Sequence, residues 1–551
     1  MPASSPVIHF IPGGYDAAGG NLMGRSVANR SFLQGLIRYG ALEALYGYTQ
    51  RAQLGTVFEQ LARDLGATMP VHTIELHRLD QLAQVGGLDL RDPSIVAAAR
   101  QRTFVGPRAY ALTGVTHTTA DAVAMTMLAD LVTAPVQPWD ALVCTSRAVA
   151  AMVDEILRAE EERLSGRLGA TRFPRPLLPV IPLGLDTARF ARREEWRVNW
   201  RERLGIGKND VAVLYVGRLS RHGKAHPLPM MAALGGAARM QPHPLHLILA
   251  GWWLHPPEEK TWRDQAAVLC PEVRLHLLDG QDEAVQREIW SAADVFTLLV
   301  DNIQETFGLA PVEAMAAGLP VVVTEWDGFR DTVRHGVDGF LVPTLMAPPG
   351  DGREAALCYA TWHINYGAWL SVTARLTAVD IGAAAEAFRT LALNPALRQR
   401  MGAAAQKRAR ESFDWACIIP QYQALWQEQE AIRLAAPAIT ENGINTPDPR
   451  HMDATRAFAA WPTAALESSR RLRLEPVAAT VDLSTLLVFT APALPNELDE
   501  TGIARLLSEL QRCGEATVEQ LLHLMEPVEC NRGRRAILWL LRVGLVKSVT
   551  H

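Results

Sequence analysis

Short apolar runs alternate with helical stretches twice along this chain, and that alternation limits its fold more than any other feature. In the first series Val7 to Ile11, Tyr110 to Val115 and Ala141 to Thr145 read as strands, separated by helical stretches such as Ser26 to Tyr39 and Thr56 to Leu65. The second series runs through Val211 to Val216, Leu245 to Ala250, Val273 to Leu278, Val295 to Val300 and Leu319 to Thr324. Alternating strands and helices argue for βα units and a parallel sheet covered by helices, so two series predict two α/β sheets. The break falls between Pro179-Val-Ile-Pro-Leu-Gly-Leu-Asp186 and the charged helix around Glu194 to Leu204. We therefore place a first domain at residues 1–193 and a second at 194–414, with residues 345–379 unassigned because periodicity blurs there.

Beyond the sheets, Asp380 to Arg433 is helical, with Trp415, Ile418, Ile419, Tyr422, Leu425 and Trp426 on one face. Residues 434–497 carry seven prolines and little periodicity, which predicts a linker or extended arm. Residues 498–551 regain it: Ile503, Leu506, Leu507 and Leu510 mark one helix, and Val518, Leu521, Leu522 and Met525 a second, opened by a Thr517/Gln520 capping box. Arg534 to Arg542 is a third, stopped at Gly544 before a strand-like Leu545 to Val549. This is the outline of a small, mainly helical, winged-helix-like module.

Composition narrows the classes. At 48% hydrophobic and 21% charged residues the chain is an ordinary globular protein. No apolar run is long enough for a membrane span, and the start MPASSPVIHF lacks the features of a signal peptide. The expected location is cytoplasmic, with peripheral attachment to the inner face of the membrane left open. Six scattered cysteines without a CxxC pair suggest neither zinc nor a redox motif. The net charge of −5, and seven Arg/Lys against six Glu in residues 500–551, give no field for nucleic acid; protein–protein or homodimer contact suits the tail module better.

The chemistry is concentrated in Glu305-Thr-Phe-Gly-Leu-Ala-Pro-Val-Glu313-Ala-Met-Ala-Ala-Gly318. Pro311 suits the first turn of a helix and Gly318 its left-handed end. Gly308 and Leu309 then precede a helix N-terminus, where free N–H groups and the helix dipole favour an anion such as a diphosphate. Glu305 and Glu313 flank that position, and a carboxylate accepts the two hydrogen bonds of a vicinal diol. In Val216-Gly217-Arg218-Leu-Ser-Arg-His-Gly-Lys224, Arg218 and Lys224 follow a strand, and Lys224 is one of only five lysines. Two fixed cations at such a place suit an anion. His117 lies just past the strand Tyr110 to Val115, at the carboxyl edge where α/β sheets bind ligands. No Asp-x-Asp occurs and no His/Cys cluster has ligand spacing, so no metal is expected.

The Glu305–Glu313 string resembles the E-x7-E signature of the retaining glycosyltransferases of family 4, and the likeness continues through Asp301-Asn302, Trp326 to Asp331 and His335 to Phe340. The Gly217-Arg218…Lys224 segment is similar to the same family's GR…K element. The resemblance implies the GT-B fold, two Rossmann-like domains facing across a cleft, with the helix 415–433 crossing back onto the first domain. It implies that Glu313 binds the nucleotide ribose, and that Glu305 with the Phe307-Gly308-Leu309 backbone holds the donor sugar and diphosphate. Arg218 and Lys224 would stabilise the leaving group, and His117 would face the sugar from the opposite wall. Gly20, in the loop holding Gly13, Gly14, Gly19 and Gly20, resembles the family's Gly-rich first loop. No tightly bound cofactor is implied. The donor would be a nucleotide-diphosphate sugar, a UDP-sugar ahead of a GDP- or ADP-sugar, and the acceptor a hydroxyl of a glycan, a lipid-linked compound or a small molecule. Two rivals stay open: a GT-B sugar-nucleotide epimerase, which needs no acceptor, and a non-catalytic sugar-nucleotide sensor acting through the tail module.

Overall fold

The computed structural model describes residues 5–15, 24–253, 257–437, 448–487, 500–526 and 529–549. It divides into two compact units, Met1–Asp448 and Pro449–His551.

The first unit contains two six-stranded sheets, parallel throughout. Strands β1 (Val7–His9), β2 (Leu45–Thr49), β3 (Val71–Glu75), β4 (Gly87–Asp89), β5 (Ala111–Val115) and β6 (Ala141–Val143) lie in the order β3-β2-β1-β4-β5-β6. Strands β7 (Val211–Val216), β8 (Leu245–Gly251), β9 (Val273–Asp279), β10 (Val295–Leu298), β11 (Val321–Thr324) and β12 (Gly339–Val342) lie in the order β12-β11-β10-β7-β8-β9. Both orders are doubly wound, so the two domains are Rossmann-like and each sheet has a crevice where the winding reverses. Strands β7, β8, β10 and β11 are near-continuous apolar runs because neighbouring residues point to opposite, equally covered faces. Leu112 and Leu142 pack with Leu82, Ile95 and Val153 on one side of the first sheet, while Val115 and Val143 pack with Phe32, Phe58 and Ile418 on the other.

The helix Trp415–Ala435 packs on the first sheet's domain. Asp414 caps it by accepting from the Ala416 N–H, and the same carboxylate accepts from the Thr187 hydroxyl at 2.6 Å. Trp415 Nε1 donates to Ser31 Oγ at 2.7 Å, and the Phe32 and Tyr422 rings meet edge-on at 5.1 Å. Farther along, buried Gln429 accepts from the Thr113 hydroxyl and donates to the carbonyls of Leu112 and Trp139. A polar side chain is tolerated at that depth because each of its groups is paired.

Residues 345–379, unassigned from the sequence, belong to a separate hairpin that begins at Thr344. β13 (Thr344–Met346) pairs antiparallel with β14 (Thr377–Val379) as a stem carrying the helices Arg353–Ala360 and Tyr366–Ala374.

In the second unit β15 (Arg471–Leu474) lies between β16 (Glu515–Thr517) and β17 (Val546–Ser548), both antiparallel to it. Helices Glu500–Cys513, Val518–Leu522 and Cys530–Arg542 enclose a core of Leu472, Leu506, Leu510, Leu521, Ile537 and Leu540 with that sheet. Thr517 and Gln520 make the reciprocal capping box. The central strand comes from within residues 434–497, so this unit begins well before residue 498 and that segment is not simply an arm. Its alternation, Arg-Leu-Arg-Leu, is too short to stand out in the sequence. Among the described residues no helix is long and apolar enough to cross a membrane.

Candidate active site

The second sheet reverses between β7 and β10, so the loops that follow those strands line its crevice. The loop after β10 leads into the helix Leu309–Ala316, whose N-cap is Gly308 at φ +84°. Its other end closes on Gly318 at φ +75°, with the Leu319 N–H bonded to the Ala314 carbonyl and the Gly318 N–H to that of Met315. A Cβ on Gly308 would sit 2.0 Å from the Phe329 ring. Gly308→Ala is therefore expected to combine left-handed strain with a clash, costing ~2 kcal/mol or more. A fall in melting temperature of on the order of 5 °C should be measured; an unchanged melting temperature would refute the close approach.

Lys224 and Glu305 meet across this crevice. Lys224 Nζ donates to Glu305 Oε2 at 2.6 Å, with the two side chains 19% and 15% exposed. Burial pushes the Glu305 carboxyl up, but the charge and hydrogen bond of Lys224, helped by the N–H groups of Thr306 and Phe307, outweigh it and hold the group below its ordinary value. Gly217, at φ +143°, lies under the Lys224 stem: a Cβ there would be 3.4 Å from Lys224 Cε. Asn302 fixes the loop, donating from Nδ2 to the Lys224 carbonyl at 2.7 Å and accepting the Trp326 indole N–H on its own carbonyl. Arg218 is half-buried and donates to the Gly223 carbonyl at 3.1 Å. Glu313 projects from the helix toward the charges of Lys224 and Arg189; burial outweighs both and pushes its carboxyl up to about 7. The site thus holds one carboxylate that is ionised across the physiological range and one that titrates within it.

The opposite wall comes from the first domain. His117 lies two residues beyond β5, and its Nε2 is 2.9 Å from the carbonyl of Arg91, a residue at φ +54°. The His117 carbonyl accepts the Thr306 hydroxyl at 2.6 Å, and the Thr145 hydroxyl donates to the Thr306 carbonyl at 3.3 Å. Thr306, next to Glu305, is therefore the stitch between the two walls. A second contact lies beside it: Ser146 Oγ donates to Asp327 Oδ1 at 3.1 Å, and both the N–H and Nε of Arg147 donate to Asp331. Asp327 sits at φ +42°, and burial pushes its carboxyl up to about 7.

Eight of the ten residues singled out from the sequence fall on this crevice or its opposite wall: His117, Gly217, Arg218, Lys224, Glu305, Gly308, Leu309 and Glu313. Of Phe307 only the backbone can face the crevice, because its ring is buried against Phe413. Gly20 lies outside the described residues. Sequence reasoning did not find Thr306 as the cross-domain link or Arg91 as the support of His117. Neither has a local signal, since each acts through a contact far away in the chain.

Residues 197–346 match the family model described as Glycosyl transferases group 1. The matched stretch runs from the helix before β7 to the end of β13 and includes every site residue of the second domain. Among curated relatives, a D-inositol 3-phosphate glycosyltransferase of Geodermatophilus obscurus is 34% identical over 206 residues, 36% of this chain and 41% of that protein. A phosphatidyl-myo-inositol mannosyltransferase of Mycobacterium leprae is 31% identical over 171 residues, 31% of this chain and 35% of that protein. The chain thus spans about half or less of the length of these relatives. A solved structure of Anabaena HepE with UDP and glucose aligns over 77% of this chain and 99% of its own, at 17% identity and a TM-score of 0.49.

Proposed function

We propose that this protein is a retaining, metal-independent glycosyltransferase that moves a sugar from a nucleotide-diphosphate sugar to an acceptor hydroxyl. The observation that carries this reading is the Lys224–Glu305 pair, held at 2.6 Å beside the helix N-terminus at Gly308 and joined through Thr306 to the wall that bears His117. The helix N-terminus and the cations Arg218 and Lys224 supply the positive charge that a diphosphate requires. Glu313 takes the ribose diol, Glu305 orients the donor sugar, and His117 faces that sugar from the other side. In the reaction the bond from the sugar's anomeric carbon to the diphosphate oxygen breaks, and the electron pair leaves with the diphosphate. The acceptor oxygen bonds to the same face of that carbon, and its proton passes to the departing diphosphate. Arg218 and Lys224 act where the negative charge grows. A UDP-sugar is the first choice of donor, with GDP- and ADP-sugars behind it, and a polyol is the acceptor class that the relatives' names suggest.

Thermal-shift titration with UDP-, GDP- and ADP-sugars tests the donor, because a ligand of the folded state raises the melting temperature. No shift with any of them would sink the reading. Run at several pH values, the same titration tests Glu313. Below about pH 7 its carboxyl is protonated and one oxygen is a donor; above it both oxygens accept from the ribose diol. Donor affinity should therefore rise from pH 6 to pH 8, and Glu313→Gln should flatten that rise. An identical pH profile in the variant would remove Glu313 from the ribose site. Product NMR, with and without acceptor, separates transfer from epimerisation.

A further inference from the structure

The hairpin 344–379 touches both walls of the cleft. From the helix Arg353–Ala360, the Tyr359 hydroxyl accepts the Ala122 N–H of the first domain at 3.1 Å. From the helix Tyr366–Ala374, Trp369 Nε1 donates to the Ala120 carbonyl at 3.0 Å, and the Tyr359 and Trp369 rings stack at 5.1 Å and 7°. The hairpin therefore grips residues three to five positions beyond His117. At its other side a Cβ on Gly367 would lie 3.5 Å from His222, inside the Arg218–Lys224 loop. Between these two contacts sits Tyr366, whose hydroxyl is buried and has no hydrogen-bond partner among the described residues. Leaving a phenol hydroxyl dry and unpaired costs ~1–3 kcal/mol, so a protein that keeps one beside a cleft gains when a ligand supplies the partner. The charges that act on this phenol come from both walls, Asp121 on the first and Arg218 on the second. With one charge of each sign acting on it, the position favours neither an anion nor a cation, so the chemistry that fits is a neutral hydroxyl group.

We propose that this hairpin is a roof over the acceptor side of the cleft, and that Tyr366 is an acceptor-binding residue whose hydroxyl bonds a hydroxyl of a neutral polyol or sugar. This rests on the transferase reading and deepens it. The family match ends at Met346, where the stem's first strand ends, so the helices of the roof lie beyond the matched stretch. The roof adds a substrate contact to a donor site whose own residues come from the matched domain and the wall opposite.

Tyr366→Phe in the full chain is the test, because it removes one oxygen and keeps the ring. Binding of methyl α-D-glucopyranoside, methyl α-D-mannopyranoside and myo-inositol to the UDP-loaded protein is read by saturation-transfer NMR, and UDP affinity by calorimetry. The expected result is a loss of affinity of about tenfold for the bound polyol, with UDP affinity within twofold of wild type and a melting temperature of the ligand-free protein that rises, because the dry, unpaired hydroxyl is gone. Equal polyol affinity in the variant overturns the proposal, as does a loss of UDP affinity as large as that of the polyol. Wild-type protein that binds UDP but none of the three polyols also overturns it while leaving the donor site standing. Failure to bind UDP, GDP and ADP alike fails the transferase reading itself, and the roof with it.

Discussion

Lys224→Ala is expected to lower turnover on the order of 10²-fold or more, because in the proposed mechanism it removes a charge aimed at the leaving group from a site with little access to water. The side chain is 19% exposed, and its position is over-determined: Gly217 leaves room for the stem, Asn302 holds the main-chain carbonyl and Glu305 holds the ammonium. In the bound state the ammonium can be shared between Glu305 and the diphosphate. As the sugar departs, negative charge builds on the diphosphate and not on Glu305, so the interaction strengthens in the transition state, which is the condition for raising turnover. The rival reading is that Lys224 only neutralises Glu305. The two roles separate on different readouts. A purely structural lysine, when removed, leaves Glu305 without its cation and lowers the melting temperature, most at high pH where that carboxyl is ionised. A leaving-group lysine lowers kcat at saturating donor and acceptor, and Lys224→Arg, which keeps charge but not shape, recovers only part of it. Near-normal kcat in folded Lys224→Ala protein would remove the residue from the mechanism.

Much of this site was legible because its chemistry is written in two short strings, one after β7 and one after β10. Glu305, Gly308 and Lys224 lie in loops, where residue type answers to a ligand and not to packing, and Glu313 lies one turn into the short helix that follows. Among the legible strands, β7, β8, β10 and β11 are covered on both faces and appear as unbroken apolar runs, while β9 was legible from its apolar residues although only Val273 is fully buried. β3 escaped because its sequence, Val-His-Thr-Ile-Glu, holds only two apolar residues, of which Ile74 alone is fully buried. β4 escaped because it has three residues and ends on a buried aspartate. The roof was illegible for a related reason: its stem strands are three residues each, and its helix Tyr366–Ala374 meets both walls, so no single apolar stripe develops. Contacts such as Thr306 to His117, 189 residues apart, leave no periodic trace at all.

Beneath the first wall, Arg91→Met is expected to destabilise the fold by ~3–5 kcal/mol, the cost of stranding a buried charge. Arg91 and Asp89 follow one another off β4 at 2% and 0% exposure; Arg91 Nη1 lies 3.3 Å from Asp89 Oδ2, and the Arg91 N–H donates to Oδ1 at 3.0 Å. The guanidinium also lies 3.4 Å from the centre of the Phe32 ring, a cation–π contact that methionine would replace with packing alone. Burial pushes the Asp89 carboxyl up, while the charge of Arg91 and the bonds it makes oppose that rise. With the guanidinium gone the opposition is lost and the carboxyl rises further. A carboxyl whose pKa is higher folded than unfolded holds its proton more tightly in the folded state, so stability falls as pH climbs from the unfolded value toward the folded one. The deficit of Arg91→Met against wild type should therefore be smaller at pH 5 than at pH 8. Adding Asp89→Asn should restore most of it, since no charge is then stranded. Denaturant titrations of the three proteins at both pH values supply the measurement, and a deficit that ignores pH would overturn the stranded-charge account. Activity offers a second test. The Arg91 carbonyl fixes His117 through its backbone, which methionine also has, so the double variant should regain turnover along with stability. A double variant that is stable but inactive would show that the guanidinium itself is needed to keep His117 in place.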